Sequence, residues 1–266
     1  MGLSASGYYA WFKREPSKRQ KENDDLKYRI SSIFKISRGT YGRPRIHDEL
    51  NKNGHKCSPG KVKRLMDELG IKVKKKRLYK VTTDSNHMLP VVPNLLNRKF
   101  KPGAENEVWA SDISYIDTGE GWLYLAVVID LFSRRVIGWS MQNHMRKSLV
   151  IDALDMAIKS RHIKPGLIHH SDRGSQYCSQ RYQEKLTING LVPSMSRRGD
   201  CWDNAVVESF FASLKKDLVH RQRFETRADA KKNIFEYIEV FYNRIRSHST
   251  LGYLSPVRYE EYARAA

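Results

Sequence analysis

Apolar positions change their spacing twice along the 266-residue chain. Up to about residue 70 they keep a helical period. Residues 24–37 predict one helix, closed by the break Arg38-Gly39-Thr40-Tyr41-Gly42, and a second is expected from Pro44 to Asn51. The turn Asn53-Gly54-His55-Lys56-Cys57 leads to a third, with Ser58 as N-cap, Pro59 at the first helical position and Gly70 as its stop. In that helix Val62, Leu65, Met66 and Leu69 fall at i, i+3, i+4 and i+7. This single apolar stripe leaves Lys61, Lys63 and Arg64 facing elsewhere. Two short helices about a Gly-containing turn, the second basic on its outer side, suit a helix-turn-helix in a DNA major groove.

From Glu107 the pattern becomes that of strands. VWASDISYI (108–116), WLYLAVVIDLF (122–132) and VIGWSM (136–141) are separated by the turns TGEG and SRR and predict three antiparallel strands. A helix is expected over 146–160, with Leu149, Val150, Ala153, Leu154, Ala157 and Ile158 in register. The strand LIHHSD (167–172), a helix near 179–188, a short strand Leu191 to Met195 and a long helix from Asp203 to Val219 complete the order βββαβαβα. Five strands with covering helices make an α/β layered fold. The tail adds one helix bearing Ile234, Tyr237, Ile238, Phe241 and Tyr242, then the basic segment Asn243-Arg244-Ile245-Arg246-Ser247-His248. The expected divisions are an all-helical region at 1–70, a linker with Pro90, Pro93 and Pro102 at 71–106, a core at 107–222 and a C-terminal helix with basic tail at 223–266.

Charge sharpens this division. The 48 Lys and Arg against 29 Asp and Glu give a net charge of +19, which points to polyanionic partners. Residues 1–106 hold 25 of the basic and 10 of the acidic groups, against 23 and 19 in 107–266. The front of the chain is therefore the expected polyelectrolyte binder, and Lys72, Lys74, Lys75, Lys76 and Arg77 are expected to track phosphates by releasing counterions. The longest apolar run, Trp122 to Ile129, is far shorter than the roughly 20 residues of a membrane span, so no membrane association is expected. Three widely spaced cysteines, Cys57, Cys178 and Cys201, suggest neither a disulfide framework nor a zinc finger, and fit a reducing compartment.

Nucleic acid as partner directs attention to acids. Two divalent cations about 4 Å apart stabilise the attacking and leaving oxygens of a phosphodiester together, and holding them takes about three carboxylates. Asp112 lies in the first strand, Asp172 ends the strand after the first core helix, and Glu208 rides the long helix with thirty-five residues between it and Asp172. That spacing alone selects nothing, because Asp84/Glu120, Asp200/Glu236 and Asp203/Glu239 share it. Context separates them: of these Asp residues only Asp172 closes a strand, and Glu208 sits at the border of the stripe Val207, Phe210, Phe211, Leu214 and Leu218. Lys215, two turns beyond Glu208, is placed to hold a DNA phosphate. Asn204, one turn before it, is a candidate to orient the carboxylate or touch DNA, against an ordinary first-turn role. Arg244 and Arg246 are further candidates for DNA contact, with a solvated helix end as the alternative.

These residues resemble the DD(35)E core of retroviral-integrase-like recombinases, which have a ribonuclease-H-like fold. SDISYI, AVVIDLFSRRVIGW, HHSDRGSQY, MSRRGDCWDNAVVESFFASLK and YNRIRSHSTLGYLSPVRYE resemble the second-reading-frame (OrfB-type) transposases of bacterial insertion sequences, and SASGYYAW and YGRPRIHDEL resemble their N-terminal helix-turn-helix region. The resemblance implies a five-stranded mixed sheet. It also implies two Mg2+ ions, with Mn2+ as a substitute, and Asp112, Asp172 and Glu208 as catalytic metal ligands. Cleavage of the element's ends and transfer of the 3′-hydroxyl into double-stranded DNA would follow. The expected partners are terminal inverted repeats, target DNA and further copies of the chain, in a bacterial cytoplasm at the nucleoid. A first-reading-frame protein, a partner or frameshift fusion in this group, supplies a helix-turn-helix and leucine zipper not visible here. A non-catalytic repressor and a nuclease on the same fold are the competing expectations.

Other signals carry less. Met1-Gly2 with Ser6 is a short myristoylation match, His169 and His170 are read as structural, and His47, His55 and Cys57 lack a fourth partner at zinc spacing. Gly42-Arg43-Pro44 is explained by a helix start.

Overall fold

A computed structural model describes residues 5–73, 90–197 and 201–266, and the chain divides into two compact units at Lys74/Lys75. The first unit contains α1 (Ala5–Phe12), α2 (Lys18–Ile36), α3 (Arg43–Lys52) and α4 (Pro59–Glu68). Leu26 and Ile30 of α2, Ile46 and Leu50 of α3, and Val62, Leu65 and Met66 of α4 form one buried cluster with Tyr41. The stripe expected on α4 is thus its core face, except that Leu69 remains exposed. Ser58 Oγ accepts the Lys61 N–H at 3.2 Å, and Gly70, at φ 64°, stops the helix as the Ile71 N–H reaches back to Met66. α2 starts earlier than its apolar pattern suggests, because Ser17 caps it by accepting from Gln20.

The second unit is built on a five-stranded sheet: β1 (Val108–Ile116), β2 (Leu123–Asp130), β3 (Val136–Gln142), β4 (Leu167–Ser171) and β5 (Leu191–Met195), in the order β3-β2-β1-β4-β5. β1, β2 and β3 pair antiparallel, while β4 lies parallel to β1 and β5 parallel to β4. α5 (Lys147–Ser160), α6 (Gln180–Ile188), α7 (Ala205–Asp217), α8 (Arg227–Glu236) and α9 (Pro256–Ala265) complete it. The sheet is covered on both faces, as a mixed α/β layer requires. One face packs Trp109, Ala126, Val128 and Ile137 against α5 and α6. The other packs Ala110, Leu125, Val127 and Ile129 against Val207, Phe210, Phe211 and Leu214 of α7 and Ala230 and Ile234 of α8. α5 approaches β3 so closely that a Cβ on Gly138 would overlap the Ala153 carbonyl and the Ala157 nitrogen.

The tail departs from the single helix and basic segment expected for it. α8 runs into a π-helical turn, Tyr237–Tyr242, which places Tyr237, Ile238, Phe241 and Tyr242 in the same core as the sheet. α9 then returns along the unit, anchored by a polar group. Glu260 is 1% exposed and its carboxylate accepts from Ser133, Arg135 and Arg161. Among the described residues no helix is long and apolar enough to cross a membrane.

Candidate active site

Strand register brings the first two acids together. Val108, Trp109 and Ala110 of β1 lie opposite Ile168, His169 and His170 of β4, so Asp112 and Asp172 each follow the last paired residue by two positions, and the two carboxyls interact electrostatically. Alternation decides their face. Val108, Ala110 and Ile116 point into the cluster containing α7, whereas Trp109 and Ile113 point to the opposite one, so Asp112 projects toward α7. Asp172 sits just beyond the end of β4, where its Oδ1 accepts the Gly174 N–H at 2.9 Å. Asp112 Oδ1 accepts the N–H of Ile113 at 2.7 Å.

α7 supplies the third acid. Its apolar face is buried in the core, and Glu208 remains exposed at the border of that face, in the first turn. Asp112 feels all of this. Burial pushes its carboxyl well above the usual range, the negative charge of Asp172 adds to the shift, and Glu208 contributes a smaller part. Burial also raises Glu208. Half-buried Lys215 is lowered by burial and held up by Asp112, and its Nζ lies 5.3 Å from the centroid of the Tyr115 ring. The helix border therefore brings one cation beside Asp112.

Among the described residues no three acid, imidazole or thiol groups are already gathered about one point. The donor set still suits a hard divalent cation. It consists of carboxylate oxygens, those of Asp112 and Asp172 mutually repelling, and a bound positive charge would relieve that repulsion.

Two expected DNA contacts are corrected by burial. Arg246 is 7% exposed, and its Nε donates to Asp217 Oδ2 at 2.9 Å while its Nη2 reaches Ser213. A guanidinium spent on a buried carboxylate is withdrawn from phosphate. Asn204 is 6% exposed, and its Nδ2 donates to the Ser111 carbonyl at 3.1 Å, so it ties α7 to β1 rather than facing solvent. Arg244 is exposed, and its Nε donates to the Glu239 carbonyl. In the helical unit Lys61 is half-buried, whereas Lys63, Arg64 and Lys72 are exposed. Lys63 and Arg64 stand 4.0 and 3.5 Å from Asp67 and Glu68 on their own helix. Lys74, Lys75, Lys76 and Arg77 lie outside the described residues.

The neighbourhood also contains residues to which the sequence pattern gave no part in the site. Asp203, fully buried, accepts from Asn94, Arg98 and both the backbone and side chain of Arg197. These donors, Arg197 first, hold its carboxyl well below the usual range. The clamp fixes the segment entering the core beside the start of α7, and Leu95 and Met195 extend it through Ser194 Oγ and the Pro93 carbonyl. Its sequence signal was an Asp at a helix start six residues after an Arg. His169 and His170 are both buried, and desolvation lowers them to about 3 and about 4, so neither carries charge at neutral pH.

Likenesses to known proteins agree with this fold. The integrase core domain family matches residues 102–201 and, in a second part, 208–263, and an HTH-like domain family matches residues 21–79. The chain is 46% identical over 260 residues to the insertion element IS600 uncharacterized 31 kDa protein of Shigella sonnei, covering 98% of this chain and 96% of that protein. It is 43% identical over 260 residues to the transposase InsF for insertion sequence IS3A of Escherichia coli (strain K12), covering 97% and 90%. A chain of the simian T-cell lymphotropic virus intasome in complex with PP2A regulatory subunit B56 gamma shares the fold, with a TM-score of 0.50 at 16% identity over 80% of this chain and 73% of that one. With an HTH-like region, a ribonuclease-H-like integrase core and relatives of this identity over nearly its whole length, the chain belongs to the IS3 family of insertion-sequence transposases.

Proposed function

We propose that this transposase cuts the ends of its element and joins the freed 3′-hydroxyl to a new phosphodiester, with Asp112, Asp172 and Glu208 holding two Mg2+ ions. The observation that carries the reading is the mutual repulsion of Asp112 on β1 and Asp172 just past the end of neighbouring β4, with Glu208 on α7 adding a smaller part. Bound there, the divalent ions supply the positive charge that stabilises the attacking and leaving oxygens.

The chain's own residues do the rest. Asp112 and Asp172 at the ends of the paired segments and Glu208 on the helix would hold the ions, which would supply charge stabilisation to the reacting phosphodiester. Lys215, half-buried beside Asp112, neutralises a phosphate of the strand end. Lys61, Lys63, Arg64 and Lys72, with Lys74, Lys75, Lys76 and Arg77, grip the phosphate backbone of terminal repeats and target, and exposed Arg244 adds a contact. Several copies act together on DNA, with a first-reading-frame partner or fusion, in the cytoplasm at the nucleoid. The family's relatives, the charge of the front region and the intasome-like fold support DNA and further copies of the chain as partners.

The test is incubation of the protein, alone and fused to its upstream frame, with labelled element ends and Mg2+. Joined products are expected. Cutting without joining would indicate a nuclease, and bound but unchanged DNA a repressor.

A further inference from the structure

Beneath the three acids runs a buried chain of hydrogen bonds with one member on each acid-bearing element. Asn204, four residues before Glu208, donates from Nδ2 to the carbonyl of Ser111 at 3.1 Å. Ser111, the residue before Asp112, meets His169 Nε2 through its hydroxyl at 2.9 Å. His169, three residues before Asp172, is met by the Tyr182 hydroxyl of α6 at 3.2 Å. Ser111, His169 and Tyr182 are each 2% exposed or less and Asn204 is 6% exposed. The bonds are therefore made in a medium that strengthens them, with both hydroxyls on His169 Nε2, while His169 Nδ1 and Asn204 Oδ1 are buried without a hydrogen-bond partner.

The placement is specific to the acids. β1 and β4 are already joined by their ladder, but the recorded pairing ends at Ala110 and His170, two residues short of Asp112 and Asp172. The Ser111 to His169 bond crosses the same two strands just there, on the face away from the acids. α7 does not pair with the sheet as a strand would; it meets it through apolar packing and through the Lys215 ammonium against the Tyr115 ring. Asn204 supplies a directional bond, at the helix end nearest Glu208. The imidazole is neutral, so it serves as a fixed bonding group and not as a charge.

We infer that Asn204, Ser111 and His169 are positioning residues: together they set the separation of Asp112, Asp172 and Glu208 and so determine how tightly divalent ions are held. This rests on the reading of those acids as metal ligands. Partners that orient ligands without touching the ion typically change metal affinity by about 10 to 100-fold when removed.

The experiment titrates Mg2+ against Asn204→Ala and Ser111→Ala in the full chain. Readouts are strand joining, Mg2+-dependent thermal stabilisation, the unfolding temperature without metal, and DNA affinity. A roughly tenfold or greater rise in the half-saturating Mg2+ concentration by both metal readouts is expected, with joining largely restored at saturating Mg2+ and DNA affinity unchanged. The double variant should shift no more than the larger single one, because the residues act as one chain. An unchanged Mg2+ requirement, or a loss of joining that follows only a lowered unfolding temperature, overturns the inference. Should Asn204→Ala fail to fold, Ser111→Ala and His169→Gln carry the same expectation. Asp112→Asn separates the two levels. If it retains joining, the acid assignment itself fails; if it abolishes joining while the Mg2+ requirement of Asn204→Ala is normal, only the positioning role fails.

Discussion

The side chain of Asn243 holds both backbone groups of Val136: its Nδ2 donates to the Val136 carbonyl at 2.9 Å and its Oδ1 accepts the Val136 N–H at 3.0 Å. It thus completes the outer side of β3 as a neighbouring strand would. Asn243→Ala leaves a buried donor and acceptor without partners, which should cost about 2 kcal/mol or more in chemical denaturation. Asn243→Asp keeps one bond and sets an acceptor against the Val136 carbonyl, so it too should destabilise.

A second prediction concerns the buried pair Arg246 and Asp217, which are 7% exposed each and joined also to Tyr237. Asp217→Ala strands a guanidinium in the core and should cost about 3 to 5 kcal/mol. Phosphate contact and burial predict different salt behaviour. Arg244→Ala should reduce the slope of log affinity against log salt by about 1, whereas Arg246→Lys should leave it unchanged in whatever fraction folds.

Acidity gives a third. Asp130 is fully buried, and desolvation raises its carboxyl to about 6 although the N–H groups of Asn106 and Phe132 oppose this. A raised folded value means that its favourable contribution is full below about 3.8 and lost as pH rises through about 6. Asp203 has the opposite sign: its contribution is present above about 3.8 and lost as pH falls through its lowered folded value. Between pH 4 and pH 7, Asp130→Asn should therefore gain on the parent protein by up to about 3 kcal/mol in pH-resolved unfolding, and Asp203→Asn should not.

Close packing gives a fourth. Gly138→Ala must move α5 away from β3, since the added methyl meets backbone atoms of Ala153 and Ala157 that cannot rotate aside. The loss should be about 1 to 3 kcal/mol, with the unfolding temperature as readout.

These sites mark what apolar patterning makes legible. The strands Val108–Ile116 and Leu191–Met195 stand where their alternation and turn residues predict them, and α4 begins at the Ser58-Pro59 pair. Asp112, Asp172 and Glu208 were distinguished by the elements that carry them, which side-chain period can indicate. α9 was not, because the residues it buries are Pro256 and Glu260, and a carboxylate closing on arginines distant in the chain leaves no periodic trace. Arg246 misled for the converse reason: a basic residue among basic residues reads as solvated until its partner, 29 positions away, is known. The Asn204 to Ser111 bond spans 93 positions and ends on a backbone carbonyl, which no side-chain pattern encodes.

The most direct test of the shared metal site is anomalous scattering from Mn2+ in crystals of the protein on its DNA. Two peaks about 4 Å apart are expected, bounded by the carboxylates of Asp112, Asp172 and Glu208, and both should vanish or weaken in Asp112→Asn. Mn2+ bound elsewhere, with nothing between Asp112 and Asp172 while the crystals still join DNA, would contradict it.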